Sequence, residues 1–308
     1  MGHKNKLSLV AQVKAALDQK LAIGESRQQG KRDGTAADKI YSWSTYNTYL
    51  KHACYFVEWC KKEHKAKTLE QCRPYVAEWM ATRSSLSPYT QKLEASALAK
   101  VYGVTVSSLQ EFRESGHGLG IETPRRSRAG ITRSRGQKVR DAHFSEKNHA
   151  ALLEFCRGTG LRRRELQLLT GDALEQDPDG HWVLHVTKGT KGGRPRYAPI
   201  IGEPETVARI VERLQSAGTG RVWQKIPNGA DIHSYRADYA TALYLLHARP
   251  LDQIPKRRTP KGYLVQDVYV FRGDRKGQKL DRAAMLITSN ALGHGRISVI
   301  AENYLRLE

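Results

Sequence analysis

The chain has 308 residues, enough for two domains that each bury their own core. Its formal net charge is +20, a surplus that points to a polyanionic partner, most simply nucleic acid. No apolar run is long enough to span a bilayer, and the start (Met1 to Lys6) leads into an amphipathic stretch instead of a signal-peptide core. These features argue against a membrane or secreted protein, and a cytoplasmic one is expected.

Residues 8–21 read as a helix that Ser8 caps, with Val10, Val13, Leu17 and Leu21 on one face. The polar, Gly-containing stretch from Gly24 to Asp38 reads as a flexible arm. From 42 to 113 the periodicity is helical throughout. Trp43, Tyr46, Leu50, Ala53 and Val57 form the first stripe, and Thr68 caps a helix carrying Leu69, Cys72, Val76 and Met80. Ser87-Pro88 opens a third helix with Tyr89, Leu93 and Ala97, and a shorter fourth would hold Leu109 and Phe112. The four cysteines, Cys54, Cys60, Cys72 and Cys156, match neither a zinc nor a redox spacing and read as free thiols.

Thr123 to Arg140 holds Arg125, Arg126, Arg128, Arg133, Arg135, Lys138 and Arg140 and no acid, interrupted by Pro124, Gly130 and Gly136. This is a linker by composition, either a solvated tether or a segment that tracks a phosphate backbone. Beyond it, Ser145 caps a helix with Ala150, Leu153 and Cys156 that Gly158 and Gly160 end, and Arg162 to Leu169 form the next helix. Asp177-Pro178-Asp179-Gly180 is a turn. Trp182 to Val186 and Tyr197 to Ile201 read as strands joined by a basic loop that contains Lys188, Lys191 and Arg194. A helix with Val207, Ile210, Val211 and Leu214 follows, and Asp231 caps another that bears His233 and Arg236. A hairpin is expected from Val265 to Phe271 and Lys276 to Leu280, turning at Arg272-Gly273-Asp274, and the chain closes in short helices.

Arg162, Lys188, His233, Arg236, His294 and Tyr304 supply what phosphodiester cleavage without a metal needs. Arginine forks onto phosphate and keeps its charge, so two of them can stabilise the transition state. Lysine can protonate the leaving oxygen, histidine moves protons near neutral pH, and tyrosine can attack phosphorus once its proton is taken. Glu165, three residues after Arg162, faces it across one helical turn and reads as orienting it. Alone, each residue has a plainer reading. Arg162 lies in a run of three arginines, His294 after Gly293 could cap a helix, and Tyr304 shares a face with Ile297, Ile300 and Ala301 as a core tyrosine would.

The ordered set resembles the tyrosine recombinases, or phage integrase family, from about residue 40 to the end. Thr159 to Leu166 is similar to the first-arginine box and Lys188-Gly189-Thr190-Lys191 to the hairpin lysine motif. His233-Ser234-Tyr235-Arg236 is similar to the His-x-x-Arg box, Leu292-Gly293-His294 to the second histidine box, and Tyr304 to the nucleophile. The resemblance implies a mainly α fold with a small β-sheet in the catalytic domain. A helical core-binding (SAM-like) bundle would precede an α+β tyrosine-recombinase catalytic domain, the two forming a clamp around DNA.

The expected organisation is an N-terminal helix and arm over 1–38, the core-binding domain over 39–122, the basic linker over 123–140, and the catalytic domain over 141–308. The interval between Arg236 and His294 is longer than is usual in the family, which marks about 250–284 as an insertion. Lys191, Arg194 and the linker cations are the candidate DNA contacts. The family further implies a 3′-phosphotyrosyl intermediate, no metal and no cofactor. It implies a homotetramer on specific DNA sites, exchange through a Holliday junction, and accessory DNA-bending or directionality factors. A mobile-element role fits the arm and the insertion. The alternatives are a type IB topoisomerase-like enzyme and a non-cutting DNA-binding protein of the same fold. Tyr304 stands one residue farther from His294 than in common members, and only Leu305 to Glu308 follow it, so protomer contacts are expected from the inserted hairpin or the helix at 8–21.

Overall fold

The structure is a computed structural model that describes residues 7–109, 144–191, 193–272 and 275–307. The chain divides into two compact units, residues 1–126 and 127–308. The predicted fourth helix beyond Leu109 and the seven linker cations lie outside the described residues.

In the first unit, α1 (Leu9–Asp18) begins where the Ser8 hydroxyl accepts from the Ala11 amide. Its buried face is Leu9, Val13 and Leu17. Val10, expected on that face, is exposed, because the stripe starts one residue earlier. The stretch read as an arm contains a short helix, α2 (Arg27–Arg32), and a bridge between Leu21 and Ile40. Lys39 pairs with Glu25, and the Lys100 ammonium donates to the Ala37 carbonyl, so these residues are fastened to the unit and do not stand free. Then come α3 (Trp43–His64), α4 (Leu69–Cys72, begun by a Thr68–Gln71 capping box), α5 (Val76–Thr82) and α6 (Pro88–Tyr102). Their shared core includes Val13, Leu17, Phe56, Cys60, Trp79, Met80 and Leu98. Inside it the buried Glu94 carboxylate accepts from Arg83 Nε and Nη2 at 3.1 and 2.9 Å and lies 3.2 Å from His52 Nδ1.

The second unit runs through α7 (Ala150–Thr159) and α8 (Arg163–Leu168) into β1 (Leu174–Gln176), β2 (Trp182–Val186) and β3 (Arg196–Pro199). The three strands form one antiparallel sheet in that order. β1 was not expected, since three residues carry too little alternation to read. The turn before β2 holds as expected, with Asp177 Oδ1 accepting from the Asp179 and His181 amides. Next are α9 (Pro204–Ala217) and α10 (Ile232–His247), the latter capped by Asp231.

Among the described residues, the stretch expected to be an insertion holds two small hairpins. β4 (Lys256–Arg258) pairs with β5 (Leu264–Gln266), and β6 (Val268–Val270) pairs with β7 (Lys279–Asp281). The single hairpin expected over this stretch is thus split: Val265 and Gln266 turn back to β4, and only the residues from Val268 pair onward with the later strand. α11 (Arg282–Ala291) and α12 (Ser298–Asn303) close the chain. One core layer centres on Phe155, Leu161, Leu166 and Leu184, and another on Tyr239, Leu243, Met285, Leu292 and Ile300. Among the described residues no helix is long and apolar enough to cross a membrane.

Candidate active site

Three chain features converge in the second unit. The first is the end of α7. Gly160 takes the left-handed conformation with φ +60°, and a Cβ there would lie 2.2 Å from the Tyr239 ring. Only glycine allows both the backbone reversal and that close approach. The reversal sets Arg162 as the N-cap residue of α8. Glu165 accepts from the Arg162 amide at 2.7 Å and from Arg162 Nη1 at 2.8 Å, so the expected pairing across one turn is present.

The second feature is α10, which presents His233 and Arg236 one turn apart. Arg236 is fully buried and donates to the carbonyls of Gly160 and Leu292, while its Nε has no hydrogen-bond partner. The third is the end of α11. Leu292 offers its carbonyl to Arg162 Nη2 at 3.0 Å as well as to Arg236. At Gly293, φ is +66° and a Cβ would come within 2.9 Å of Arg196 Cδ. His294 follows, its amide bonded to the Ser289 carbonyl at 2.8 Å.

Tyr304 meets these groups from the end of α12. Its hydroxyl is 3.2 Å from His294 Nε2. Its ring lies edge-on to His233 at 5.1 Å and beneath the Arg236 guanidinium at 5.5 Å. The ring is 4 % exposed. Arg162, His233 and Arg236 also line a cavity of about 410 Å³ together with Asp231.

Arg196 was not among the residues singled out from the sequence. It is buried, donates to both Glu165 oxygens at 2.7 Å, and gives its Nε to the Ala291 carbonyl at 2.7 Å. Three guanidinium groups therefore surround one carboxylate, which leaves an excess of positive charge in a poorly solvated place. The titration shifts follow from that excess. Burial pushes the Glu165 carboxyl up, but hydrogen bonds and charge from Arg196, with help from the Arg162 amide and Arg236, outweigh it and hold its pKa down to about 2. Burial and then repulsion from Arg162 bring Arg236 down to about 10, still charged at neutral pH. Burial, then Arg236, Arg162, Arg196 and Lys191, take His294 down to about 4. Burial, then Arg236, lower His233 as well. Both histidines are therefore neutral at pH 7 in the free protein. A neutral His294 with its hydrogen on Nδ1 can accept the Tyr304 proton at Nε2.

The structure thus brings together Arg162, Glu165, His233, Arg236, His294 and Tyr304. Lys188 is exposed on the loop between β2 and β3 and borders a cavity with Glu165, Asp172, Glu175 and His185. Lys191, on the same loop, is the lysine whose charge reaches His294. Arg194 is exposed. Arg163, from the same basic run as Arg162, donates to the Pro227 carbonyl at 2.8 Å and to the Ala230 carbonyl, which braces the loop before α10. Donor atoms of Asp177, Asp179 and His181 lie within 4.8 Å of one another, but Asp177 already serves the turn there.

Compared with known proteins, residues 118–248 match the sequence profile of a family described as Integrase. That segment includes Arg162, Lys188, His233 and Arg236 and stops before His294 and Tyr304. No curated protein matches the sequence. Among solved structures, the XerH site-specific recombinase bound to difH substrate before cleavage is similar at 13 % identity and a TM-score of 0.50, over 96 % of this chain and 92 % of that one. The XerH complex with a palindromic difH substrate after cleavage has 13 % identity and a TM-score of 0.48, over 97 % and 91 %. The Tn1549 transposon integrase with circular intermediate DNA has 11 % identity and a TM-score of 0.45, over 97 % and 96 %. At 13 % identity the first of these likenesses speaks to the fold alone.

Proposed function

We propose that the chain is a member of the tyrosine recombinase (integrase) family and a site-specific DNA recombinase that cuts and rejoins DNA through Tyr304, a reading that the integrase-family match over residues 118–248 supports. The observation that carries this reading is the Tyr304 hydroxyl held 3.2 Å from His294 Nε2, beside arginines whose positive charge exceeds that of their one carboxylate partner. A DNA phosphate supplies the missing negative charge. Arg162 and Arg236, both now bonded to the Leu292 carbonyl, have donors to turn toward its non-bridging oxygens.

In the reaction the Tyr304 oxygen attacks phosphorus as His294 Nε2 takes its proton. The bond from phosphorus to the 5′-oxygen breaks, and the products are a 3′-phosphotyrosyl link and a 5′-hydroxyl. Lys188 donates the proton to the departing oxygen, and His233 assists at the phosphate. The new ester keeps the energy of the old one, so attack by a 5′-hydroxyl from another strand reverses the step and rejoins the DNA. Four protomers would carry out two such exchanges through a Holliday junction, with the linker cations, Lys191 and Arg194 on the DNA backbone. Integration or excision of a mobile element is the biological role that we infer, and accessory DNA-bending or directionality factors would act beside the tetramer.

A nicked suicide substrate tests the chemistry. Wild-type protein is expected to form an SDS-resistant DNA adduct and Tyr304→Phe none, and a wild-type protein that binds DNA without an adduct would favour the non-cutting alternative. Strand exchange between two duplexes separates a recombinase from a topoisomerase-like enzyme. The acid is identified by placing sulfur at the 5′-bridging position, since a thiolate leaves without needing a proton. Lys188→Ala should then cleave the sulfur substrate near the wild-type rate and the oxygen substrate slowly. If Lys191→Ala behaves in that way instead, the proton comes from Lys191.

A further inference from the structure

We propose that Arg306 is a positioning residue for Tyr304, a role that rests on the reading of Tyr304 as the nucleophile. α12 ends at Asn303, so Tyr304 is not held inside a helix. Upstream it is steadied by the buried Ile300 and Ala301, and its own amide bonds to the Ile300 carbonyl at 3.0 Å. Downstream, Arg306 fastens the chain to α10. Its backbone amide donates to Thr241 Oγ1 at 3.0 Å, its Nη1 to Asp238 Oδ1 at 2.9 Å, and its Nη2 to Ser234 Oγ at 3.0 Å. Ser234, Asp238 and Thr241 recur at helical spacing and so share one face of α10. Asp238 is itself steadied, because its other oxygen accepts from Arg157 Nε at 3.2 Å. Between the two anchors Leu305 is buried.

The geometry gives this anchor a specific use. α10 is the helix that carries His233 and Arg236, and Ser234 is the neighbour of His233. By gripping α10 two residues after Tyr304, Arg306 fixes the distance between the nucleophile and the groups that hold the phosphate. Side chains of Arg306 and Asp238 are each about one-third exposed (32 % and 33 %), so the ion pair contributes little to global stability. Its effect is on placement, and a misplacement on the order of 1 Å can slow an enzyme by about a hundredfold.

The test uses the full-length protein on a nicked suicide substrate, with the cleavage rate at saturating DNA, DNA affinity and thermal midpoint measured for each variant. Arg306→Ala is expected to slow adduct formation by about tenfold or more, with affinity and thermal midpoint near wild type. Arg306→Lys should recover part of the rate, because an ammonium reaches one acceptor but cannot fork between Ser234 and Asp238. Thr241→Val, which removes the acceptor for the backbone amide along with the hydroxyl's own bond to the Ala237 carbonyl within α10, should slow the Arg306→Ala protein further. An Arg306→Ala protein that cleaves at the wild-type rate overturns the proposal. So does a slower rate matched by an equal loss of affinity or a lowered thermal midpoint, which marks a merely structural contact. Absence of an adduct with wild type is the distinct failure of the nucleophile assignment itself.

Discussion

Two buried carboxylates, one in each unit, show how differently the same chemistry can be used. Glu94 in the first unit is met by one guanidinium, that of Arg83, and by His52. Its charge is answered locally and its surroundings are helix packing. Glu165 in the second unit is forked by Arg196 and bonded by Arg162, with Arg236 close enough to shift its titration. The first arrangement is closed. The second is overfilled with positive charge and places that excess beside a tyrosine hydroxyl and two neutral histidines. An ion pair that balances reads as structure, whereas a cluster that does not balance reads as a site awaiting an anion.

Substitutions can break this contrast. Arg162→Ala is expected to lower the single-turnover cleavage rate at saturating DNA by about 10²- to 10³-fold, the scale of a lost transition-state donor. Arg83→Ala should leave that rate unchanged. In stability the order depends on how completely the carboxylate is abandoned. Arg196→Ala leaves Glu165 without its main partner and should cost about 3 kcal/mol in urea unfolding. Arg83, whose side chain is 30 % exposed, should cost less when removed, about 1–2 kcal/mol.

Acid sharpens the comparison. The Glu165 pKa falls from its usual 4.5 to about 2 in the folded chain, so the unfolded chain binds its proton first as pH drops. The stability that Glu165 contributes is present above pH 4.5 and is lost on the way down to about pH 2. His294 acts earlier with the same sign. Its folded pKa of about 4 lies below the usual 6.5, so between those values the unfolded chain takes up the proton and stability falls with pH. Urea midpoints measured from pH 7 to pH 4 should decline, and His294→Gln should flatten that decline. The smallest expected loss of stability is at Gly103. Gly103 and Gly160 both end helices with positive φ, but a Cβ at Gly103 meets only the Lys20 ammonium at 3.5 Å, whereas one at Gly160 strikes the Tyr239 ring. Gly103→Ala should cost about 1 kcal/mol and Gly160→Ala clearly more, with loss of cleavage, since the Gly160 carbonyl holds Arg236.

The sequence made most of the candidate site legible because order and chemistry survive without coordinates. Arg162, His233, Arg236, His294 and Tyr304 stood in motifs whose residue types fit one reaction, and the helices bearing them have clear caps and periodicity. Arg196 escaped because it looks like one more cation in a basic hairpin. Its only local signal is that it opens a strand whose alternate residues, Arg196 and Ala198, are buried. Its importance depends on Glu165 and the Ala291 carbonyl, which are remote in the chain and meet it only after folding. β1, α2 and the split hairpins were illegible for a related reason. Segments of three to six residues hold too little pattern and form because neighbours supply the hydrogen bonds. Between Lys188 and Lys191 the family resemblance favours the first and the field at His294 involves the second, which is why the sulfur-bridged substrate matters.

The most direct measurement of the central claim is to trap the DNA adduct on a suicide substrate, digest it with protease, and identify the DNA-linked peptide by mass spectrometry. The expected peptide contains Tyr304 joined to a 3′-phosphate. A link at any other residue, or a 5′-phosphate on the tyrosine, would contradict the assignment of Tyr304 as the nucleophile of a tyrosine recombinase.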